Sequence, residues 1–500
     1  MFVENPNDTQ LSLFSSPEQI MNKRQLKKYQ DEKSWFNLYY KHVLLEVDET
    51  IFSPLYSEGT GCPNAPVNVL VCMQQIKEGQ GWSDRQLEEA VLFNLAVRKA
   101  LGLVNIDDPS PVMSTFYEFR AKVNLYNLEN GRHLMAEAFH DLSSKHLKLL
   151  ELSGTAVRMD SKLLDSNIAD LSRYEIVWRT LDKSYKRGEL SALKAKLHNR
   201  LEAMLEEDAQ KTKYESNSAE LSRKLQQLGQ LVYDILVSLK IQDGLLHRVF
   251  HEQFEVSKGK VSAKASSEIT ATSVQNPDDT DATFRKKNDQ EVSGISVNIT
   301  ETVPEGDKPS IILDAQVENA STADNSYTKD AVATAEYVTG NRVEYFYSDG
   351  AYASSEFREF AQNHGIVTYF TGLQGKVPRY LLELIGEQLF VTDSLTGEVL
   401  SAEETRAGRW RIRLTDENGR RKYVYFSKED LDNSLRRQMQ AHIPKDEFKK
   451  RNNVEAAMFQ LSYHTRDNQT RYRGLASHRL MVYNRSAWMN FVRVAKYLAA

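Results

Sequence analysis

Three acidic residues that are far apart in the chain lie where a protein needs them to hold divalent cations. Asp160 and Asp349 each close a short run that predicts a β-strand ending at the carboxylate, and Glu455 lies in a stretch that predicts a helix. Carboxylate oxygens are ligands that Mg²⁺ prefers. Two strand-borne aspartates and one helical glutamate can converge on two Mg²⁺ or Mn²⁺ ions, an arrangement that drives in-line attack on a phosphodiester.

Other acids compete for this role, because an aspartate after a strand is commonly a turn or capping residue. The alternatives are Asp165, Asp281 and Asp314. Asp281 is the strongest of them, since its loop lies near the second predicted strand of the core.

Basic residues cluster near the C-terminus. Residues 431–500 hold 13 Lys/Arg and 5 Asp/Glu, a net +8, although the whole chain has a net charge of -5. Such a stripe can neutralise phosphates, and an ordinary solvated face is the alternative. Arg471 and Arg473 belong to it. Arg451 is four residues before Glu455, on the same helical face. Arg451 is interpreted as a DNA-phosphate contact or as a residue that orients Glu455, with a simple ion pair as the alternative.

A predicted β-hairpin at residues 409–426 carries a second basic group. Asn418-Gly419 is a turn pair that type I′ hairpins prefer. Alternation along the first strand places Arg411 and Arg413 on one face and the apolar side chains between them on the other. This basic face either lies against DNA or is a solvated strand surface.

The elements around these residues predict an α/β fold with a mixed sheet. Helical spacing from Pro66 to about Tyr126 predicts three helices. Ser83 caps the second, with Gln86 completing a capping box, and Ser114 caps the third. Leucines repeating at three and four residues between 190 and 239 predict a long helical hairpin. The predicted division is a polar, partly loose segment at 1–40; a helical domain for DNA binding or dimerisation at 41–150; an α/β core at 151–170, 271–375 and 431–500; a helical-hairpin insertion with a polar loop at 171–270; and a β-rich insertion at 376–430.

Composition excludes several classes of protein. A hydrophobic share of 41% is enough for a sizeable core. No run of about 18 apolar residues is present, so we expect no transmembrane helix and no membrane partner. The first residues lack the pattern of a signal peptide. Cys62 and Cys72 have no zinc-binding spacing and are expected to be reduced thiols of a cytoplasmic protein.

Several short motifs occur in a fixed order, each weak alone. They are Gly61 and Pro63, Trp82-Ser-Asp84, Leu101-Gly102, Phe119-Arg120, Asp160-Ser-Lys-Leu-Leu-Asp-Ser-Asn-Ile168, Asp278-Asp-Thr-Asp-Ala-Thr-Phe284 with Gly294, Ser348-Asp-Gly-Ala-Tyr-Ala-Ser354, Arg451-Asn-Asn-Val-Glu455 and Arg471-Tyr-Arg-Gly-Leu475. In this order they resemble the DDE transposases of bacterial insertion sequences, over most of the chain.

The resemblance implies an RNase H-like core behind a helical N-terminal transposase domain. Asp160, Asp349 and Glu455 would be the catalytic, metal-binding residues, with two Mg²⁺ or Mn²⁺ ions as cofactors. The implied partners are the terminal inverted repeats of the element and target DNA, bound as double-stranded DNA by a homodimer in the nucleoid. The implied reaction is DNA cleavage followed by strand transfer. The predicted DNA-binding residues are Arg451, Arg411, Arg413, Arg471 and Arg473.

One departure from the family pattern concerns the glutamate helix. Many relatives carry a tyrosine seven residues before the glutamate, an arginine four before it and a lysine seven after it. Here those positions hold Phe448, Arg451 and Ser462. His464 or Arg466 can stand in for the missing lysine. Two other hypotheses stay open: a DNA-binding relative with impaired catalysis, and an unrelated metal-dependent nuclease of RNase H-like fold.

Overall fold

The architecture is taken from a computed structural model of the 500-residue chain. It describes residues 1–7, 10–287, 290–371, 378–405, 408–415, 421–441, 443–452 and 454–500, without the side chains of 439–441, 445, 448 and 452.

The helices of the described residues surround two groups of strands. The helices are α1 (Lys23–Gln30), α2 (Trp35–His42), α3 (Val67–Gln80), α4 (Asp84–Phe93), α5 (Leu95–Ala100), α6 (Met113–Asn130), α7 (Leu134–Leu150), α8 (Arg173–Lys186), α9 (Ala195–Leu205), α10 (Ala209–Glu215), α11 (Ser218–Leu239), α12 (Gly244–Gln253), α13 (Thr328–Thr339), α14 (Ser355–His364), α15 (Lys428–Ala441), α16 (Lys445–Asn452), α17 (Val454–Ser462) and α18 (Leu475–Ala499). The strands are β1 (Ala156–Asp165), β2 (Phe254–Ser257), β3 (Lys260–Ala263), β4 (Thr283–Lys287), β5 (Gln290–Thr302), β6 (Ile312–Asn319), β7 (Tyr345–Ser348), β8 (Val367–Phe370), β9 (Tyr380–Ile385), β10 (Gln388–Asp393), β11 (Val399–Ser401), β12 (Glu403–Glu404), β13 (Trp410–Thr415) and β14 (Arg421–Phe426).

The central sheet is mixed, as the sequence predicted. Strand β5 lies between β1 and β6 and is antiparallel to both, while β4 pairs with the first residues of β5. On the other side of β1, β7 and then β8 run parallel to it. Helix α13 connects β6 to β7, and α14 connects β7 to β8.

Alternation along the strands gives the sheet two buried faces. On one face, Ile295, Val297 and Ile299 of β5 join a core with α18 and the N-terminal helices. On the other face, Val157 and Met159 of β1 join a core with α13 and α14. The long helix α18 packs on β6, α3 and α7, so it ties the N-terminal helices to the sheet.

Two glycines at the end of α3 allow this close packing. A β-carbon on Gly79 would lie 2.1 Å from the Trp488 ring, and one on Gly81 would lie 2.4 Å from the His464 ring. Gly81 also ends α3 with a φ of 68°, a left-handed conformation that glycine adopts without strain. Larger residues at either position would force the N-terminal helices away from the core.

The N-terminal region is more ordered than its polar composition predicted. Residues 1–40 include α1 and most of α2, where Tyr29 and Phe36 are buried. The prediction of a loose segment is wrong because these aromatic side chains anchor short helices whose other faces are polar. The Ser83 capping box is confirmed. The Ser114 cap is wrong, since α6 begins at Met113.

The segment predicted as one long helical hairpin instead contains five helices, α8 to α12, followed by the β2–β3 pair. Polar capping residues divide the leucine-rich sequence. Asp208 caps α10 by accepting a hydrogen bond from the Lys211 N–H, and Asn217 caps α11 in a capping box with Glu220. Leucine periodicity alone did not reveal these breaks.

The β-rich segment forms two three-stranded sheets, β9–β10–β11 and β12–β13–β14. The two predicted hairpins are confirmed as β10–β11 and β13–β14. Strands β9 and β12 were missed. The predicted Asn418-Gly419 turn lies outside the described residues.

No helix in the described parts of the chain combines the length and apolar character needed to cross a membrane.

Candidate active site

Two neighbouring parallel strands place Asp160 and Asp349 side by side. The register of β1 and β7 pairs Arg158 with Tyr347. Each aspartate is two residues beyond that pair, so both carboxylates leave the same face of the sheet. Asp349 follows β7 directly. The prediction that β1 ends at Asp160 is wrong: the strand continues to Asp165, because β5 pairs with it along that whole length.

The three predicted acids meet at one guanidinium group. Nη2 of Arg451 lies 3.7 Å from Oδ2 of Asp160 and 3.9 Å from Oδ2 of Asp349. Nη1 of Arg451 lies 3.8 Å from Oε1 of Glu455. Asp160 and Arg451 are 16% and 14% exposed, whereas Asp349 and Glu455 are 45% and 64% exposed. The cluster is therefore rooted in the sheet and opens to solvent beside Asp349 and Glu455.

Local hydrogen bonds orient the two aspartates. Oδ1 of Asp160 accepts a bond from the Ser161 N–H at 2.9 Å. Oδ1 of Asp349 accepts one from the Thr371 hydroxyl, at the end of β8, at 2.8 Å. Burial raises the pKa of the Asp160 carboxyl and the charge of Asp349 adds to this, while the Ser161 N–H and Arg451 act in the opposite direction. A positive charge at this position therefore favours the ionised form of Asp160.

A buried ion network fixes the helix that carries Arg451. Arg158 is 1% exposed and donates to Oε1 of Glu301, which is 0% exposed, from Nε at 2.8 Å. Its Nη1 donates to the Lys450 carbonyl at 2.6 Å. Arg493 of α18 reaches the other oxygen of Glu301 at 2.6 Å. Charges this deeply buried are tolerated only when paired and hydrogen-bonded, so Arg158 holds the residue before Arg451 in a defined place.

A second anchor joins α16 to β7. The Tyr347 hydroxyl donates to Oε2 of Glu447 at 2.6 Å, and Lys450 pairs with the same carboxylate at 2.7 Å. The Tyr347 ring stacks on Tyr369 of β8 with centroids 4.8 Å apart. Burial and Glu447 raise the pKa of Tyr347, which keeps it a donor. Sequence reasoning missed Arg158, Glu301 and Tyr347; the available signal was a charged residue within each of two apolar strands.

The competing aspartates have structural roles. Asp281 accepts a bond from the Leu475 N–H at 2.9 Å, at the start of α18. Asp165 accepts one from the Ser293 N–H at 2.8 Å, and Asp314 lies 3.2 Å from His140. Among the described side chains, none of these three acids forms an ion pair with Arg451.

Arg471 belongs to a segment that is docked on the N-terminal helices. Its Nη1 donates to the Trp82 carbonyl at 2.6 Å. The adjacent Tyr472 donates to Glu78 and accepts a bond from Lys77 at 3.0 Å. Lys77 and Glu78 are buried. This motif therefore joins the core to the N-terminal helices, and its interpretation as a DNA contact stays a prediction.

The other predicted DNA-binding arginines lie apart from the carboxylates. Arg473 donates to the Asn167 carbonyl at 2.6 Å. Arg411 pairs with Glu403 at 3.0 Å on the solvent face of β13. Arg413 is exposed on that same face, as alternation predicted. Their contacts with DNA also stay predictions.

The expected replacements for the family lysine point elsewhere. His464 bonds to the Gly79 carbonyl at 3.0 Å, and Arg466 is 96% exposed. The hydroxyl of Ser462 instead accepts a hydrogen bond from Nζ of Lys162 at 2.6 Å. The side chain of Phe448 lies outside the described residues.

The donor set has the right chemistry for Mg²⁺ or Mn²⁺, since it consists of carboxylate oxygens. As placed, no group of three His, Cys, Asp or Glu among the described residues is close enough to hold a metal ion. The carboxylates face the Arg451 guanidinium instead, at distances longer than hydrogen bonds. The Nε of Arg451 is buried without an acceptor. A weakly bonded cation thus stands where a metal ion would be held, and the residues fit the group.

Comparison with known proteins gives one finding. Residues 26–122 match the family model described as "Transposase domain (DUF772)". The match spans α2 to α5, which pack with α3 against α18, and it includes the N-terminal motifs from Gly61 to Arg120. It supports a transposase family for the chain. No curated protein and no solved structure matches.

Proposed function

We propose that this protein is a DDE transposase with an RNase H-like core. It cleaves DNA at the ends of its element and joins the freed 3′-hydroxyl to target DNA. The observation that carries the proposal is the convergence of Asp160, Asp349 and Glu455 on one cation position at an open edge of the sheet. The transposase-domain match at residues 26–122 supports it independently of that geometry.

Strand order supports the RNase H-like assignment. Three antiparallel strands, β6, β5 and β1, are followed by β7 and β8 parallel to β1. The two aspartates are on adjacent strands of such a sheet, and the glutamate comes from a helix over the same face. Fold alone does not give function, so the proposal depends on the carboxylates.

Two Mg²⁺ or Mn²⁺ ions held by the three acids would activate a water or a 3′-hydroxyl and stabilise the leaving oxygen. Asp160 and Asp349 form the rigid part of the site, because hydrogen-bonded strands fix their separation. Glu455 is the adjustable part, since its side chain is 64% exposed. Arg451 leaves the acids and binds a DNA phosphate, for which its planar guanidinium is suited.

The substrate is double-stranded DNA: the terminal inverted repeats of the element and a target. The basic segment 431–500 supports this choice, because it holds Arg451 and most of the positive charge near the acids. The protein acts on these ends as a homodimer, so that two ends are processed together.

The proposal is tested by a strand-transfer assay with Mg²⁺ and the DNA that flanks the coding region. We expect Asp349→Ala to bind DNA like the wild type and to lose cleavage and joining. Asp307→Ala, at an exposed position, is the matched control and should retain both. Near-normal joining by Asp349→Ala would rule out the mechanism.

A second candidate is a relative that binds DNA without cutting it. The serine at position 462, where many transposases of this type carry lysine, favours it. Binding without cleavage by the wild type would support this candidate, and cleavage without joining would indicate a nuclease instead.

A further inference from the structure

Lys162 lies on the same face of β1 as Asp160. Both side chains oppose apolar residues of β5, Val297 and Ile299, in the strand register. Residues two apart on a strand are about 7 Å apart. Arg158, Asp160 and Lys162 thus form a row on one sheet face, in which Arg158 is buried against Glu301 and Asp160 contributes to the acid cluster.

The ammonium of Lys162 has an unusual environment. Nζ donates to Oγ of Ser462 at 2.6 Å. No acid among the described residues forms an ion pair with it, whereas the buried Lys77 lies 3.0 Å from Asp84. Burial lowers the pKa of Lys162. A partly buried ammonium without an anionic partner has a desolvation cost that a bound anion would offset.

Ser462 places this ammonium in the same groove as the acids. Glu455 and Ser462 are seven residues apart on α17, which is about 10.5 Å and nearly two full turns. They therefore lie on the same side of the helix, which packs against β1. Lys162 and Ser462 close one end of a groove whose other end is formed by Asp160 and Glu455.

We propose that Lys162, held by Ser462, is a binding position for a backbone phosphate of DNA next to the phosphodiester at the carboxylates. The inference rests on the proposed function. An ammonium has three donors, so after the bond to Ser462 two remain for phosphate oxygens. Phosphates of one strand recur about every 3.4 Å along the helix axis, so a strand that crosses the acids brings further phosphates within reach of Lys162.

The test measures how the affinity for duplex DNA from the flanks of the coding region depends on salt. Losing one phosphate contact lowers the slope of log affinity against log salt by about 0.9. We expect this loss in Lys162→Gln and Lys162→Met, and a wild-type slope in Lys162→Arg. Lys260→Gln, at an exposed position of β3, is the control and should keep the slope.

Thermal unfolding identifies which Lys162 variants are folded. If Lys162→Gln unfolds early, Lys162→Met keeps the alkyl chain and gives the answer. Wild-type slopes in the folded uncharged variants, with a wild type that binds and cleaves, would overturn this inference alone. A wild type that binds no DNA would overturn the proposed function instead.

Discussion

The central sheet and the β12–β14 ribbon both carry arginines, but their charges are paired in different ways. On the sheet, Arg158 meets Glu301, 143 residues away in sequence and fully buried. On the ribbon, Arg411 meets Glu403, only eight residues away and 70% exposed. The fold concentrates charge from distant segments at the sheet, whereas the ribbon neutralises charge locally. Concentrated charge is what chemistry on phosphodiesters requires, so the comparison identifies the sheet face as the reactive region.

The largest effect is expected from Asp160→Asn. This change keeps the shape of the side chain and removes a charge from the buried end of the acid cluster. We predict a cleavage rate lower by about 10³-fold, or ~4 kcal/mol of transition-state stabilisation. Single-turnover cleavage of flanking DNA measures it. Arg411→Gln on the ribbon is the control, and equal losses in the two variants would remove the distinction between the regions.

Arg158→Met should have the next largest effect, on folding. It leaves Glu301 buried with one partner fewer and releases the Lys450 carbonyl, which we expect to lower the free energy of unfolding by about 3–5 kcal/mol. Arg411→Met removes an exposed pair and should cost about 0–1 kcal/mol. Urea unfolding of both variants gives the two numbers. Similar values would contradict the contrast between buried and local pairing.

His146 provides a third kind of environment, a buried titratable group without an opposite charge. Burial lowers its pKa to about 4, below the usual value near 6.5. The unfolded chain binds the proton more readily, so stability is full above pH 6.5 and falls as the pH approaches 4. From pH 7.5 to 5 the loss from this group is about 2 kcal/mol. Urea unfolding should show that His146→Gln loses correspondingly less, and an unchanged pH dependence would exclude the effect.

The smallest effect is expected from Tyr347→Phe. It removes the hydrogen bond to Glu447, worth about 1 kcal/mol, and leaves the stacking on Tyr369 intact. Because this bond docks α16, cleavage should fall by roughly tenfold or less. A loss as large as that of Asp160→Asn would mean that Tyr347 does more than dock the helix.

Local sequence patterns predicted much of the fold. Apolar alternation located β5, and the Ser83–Gln86 pair located the start of α4, because these signals lie within a few residues. The end of β1 was misplaced because Asp160 looked like a terminus, while pairing with a strand over 130 residues later extends it. Breaks in the leucine-rich segment depended on single capping residues such as Asn217.

The site was predictable in its residues but not in its geometry. Motif order selected Asp160, Asp349 and Glu455, and the i, i+4 spacing connected Arg451 to Glu455. That Arg451 also faces both aspartates follows from the parallel register of β1 and β7, which no local pattern specifies. The buried network of Arg158 was missed for the same reason, since its partner becomes a neighbour only through strand pairing.

The central claim is that three distant carboxylates form one site for divalent cations. Binding of Mn²⁺ to the protein with duplex DNA, followed by electron paramagnetic resonance, tests it most directly. We predict that Asp160→Asn, Asp349→Asn and Glu455→Gln each weaken Mn²⁺ binding at least about tenfold, a loss of ~1.4 kcal/mol, and that Asp307→Asn does not. Wild-type Mn²⁺ affinity in all three variants would contradict the account.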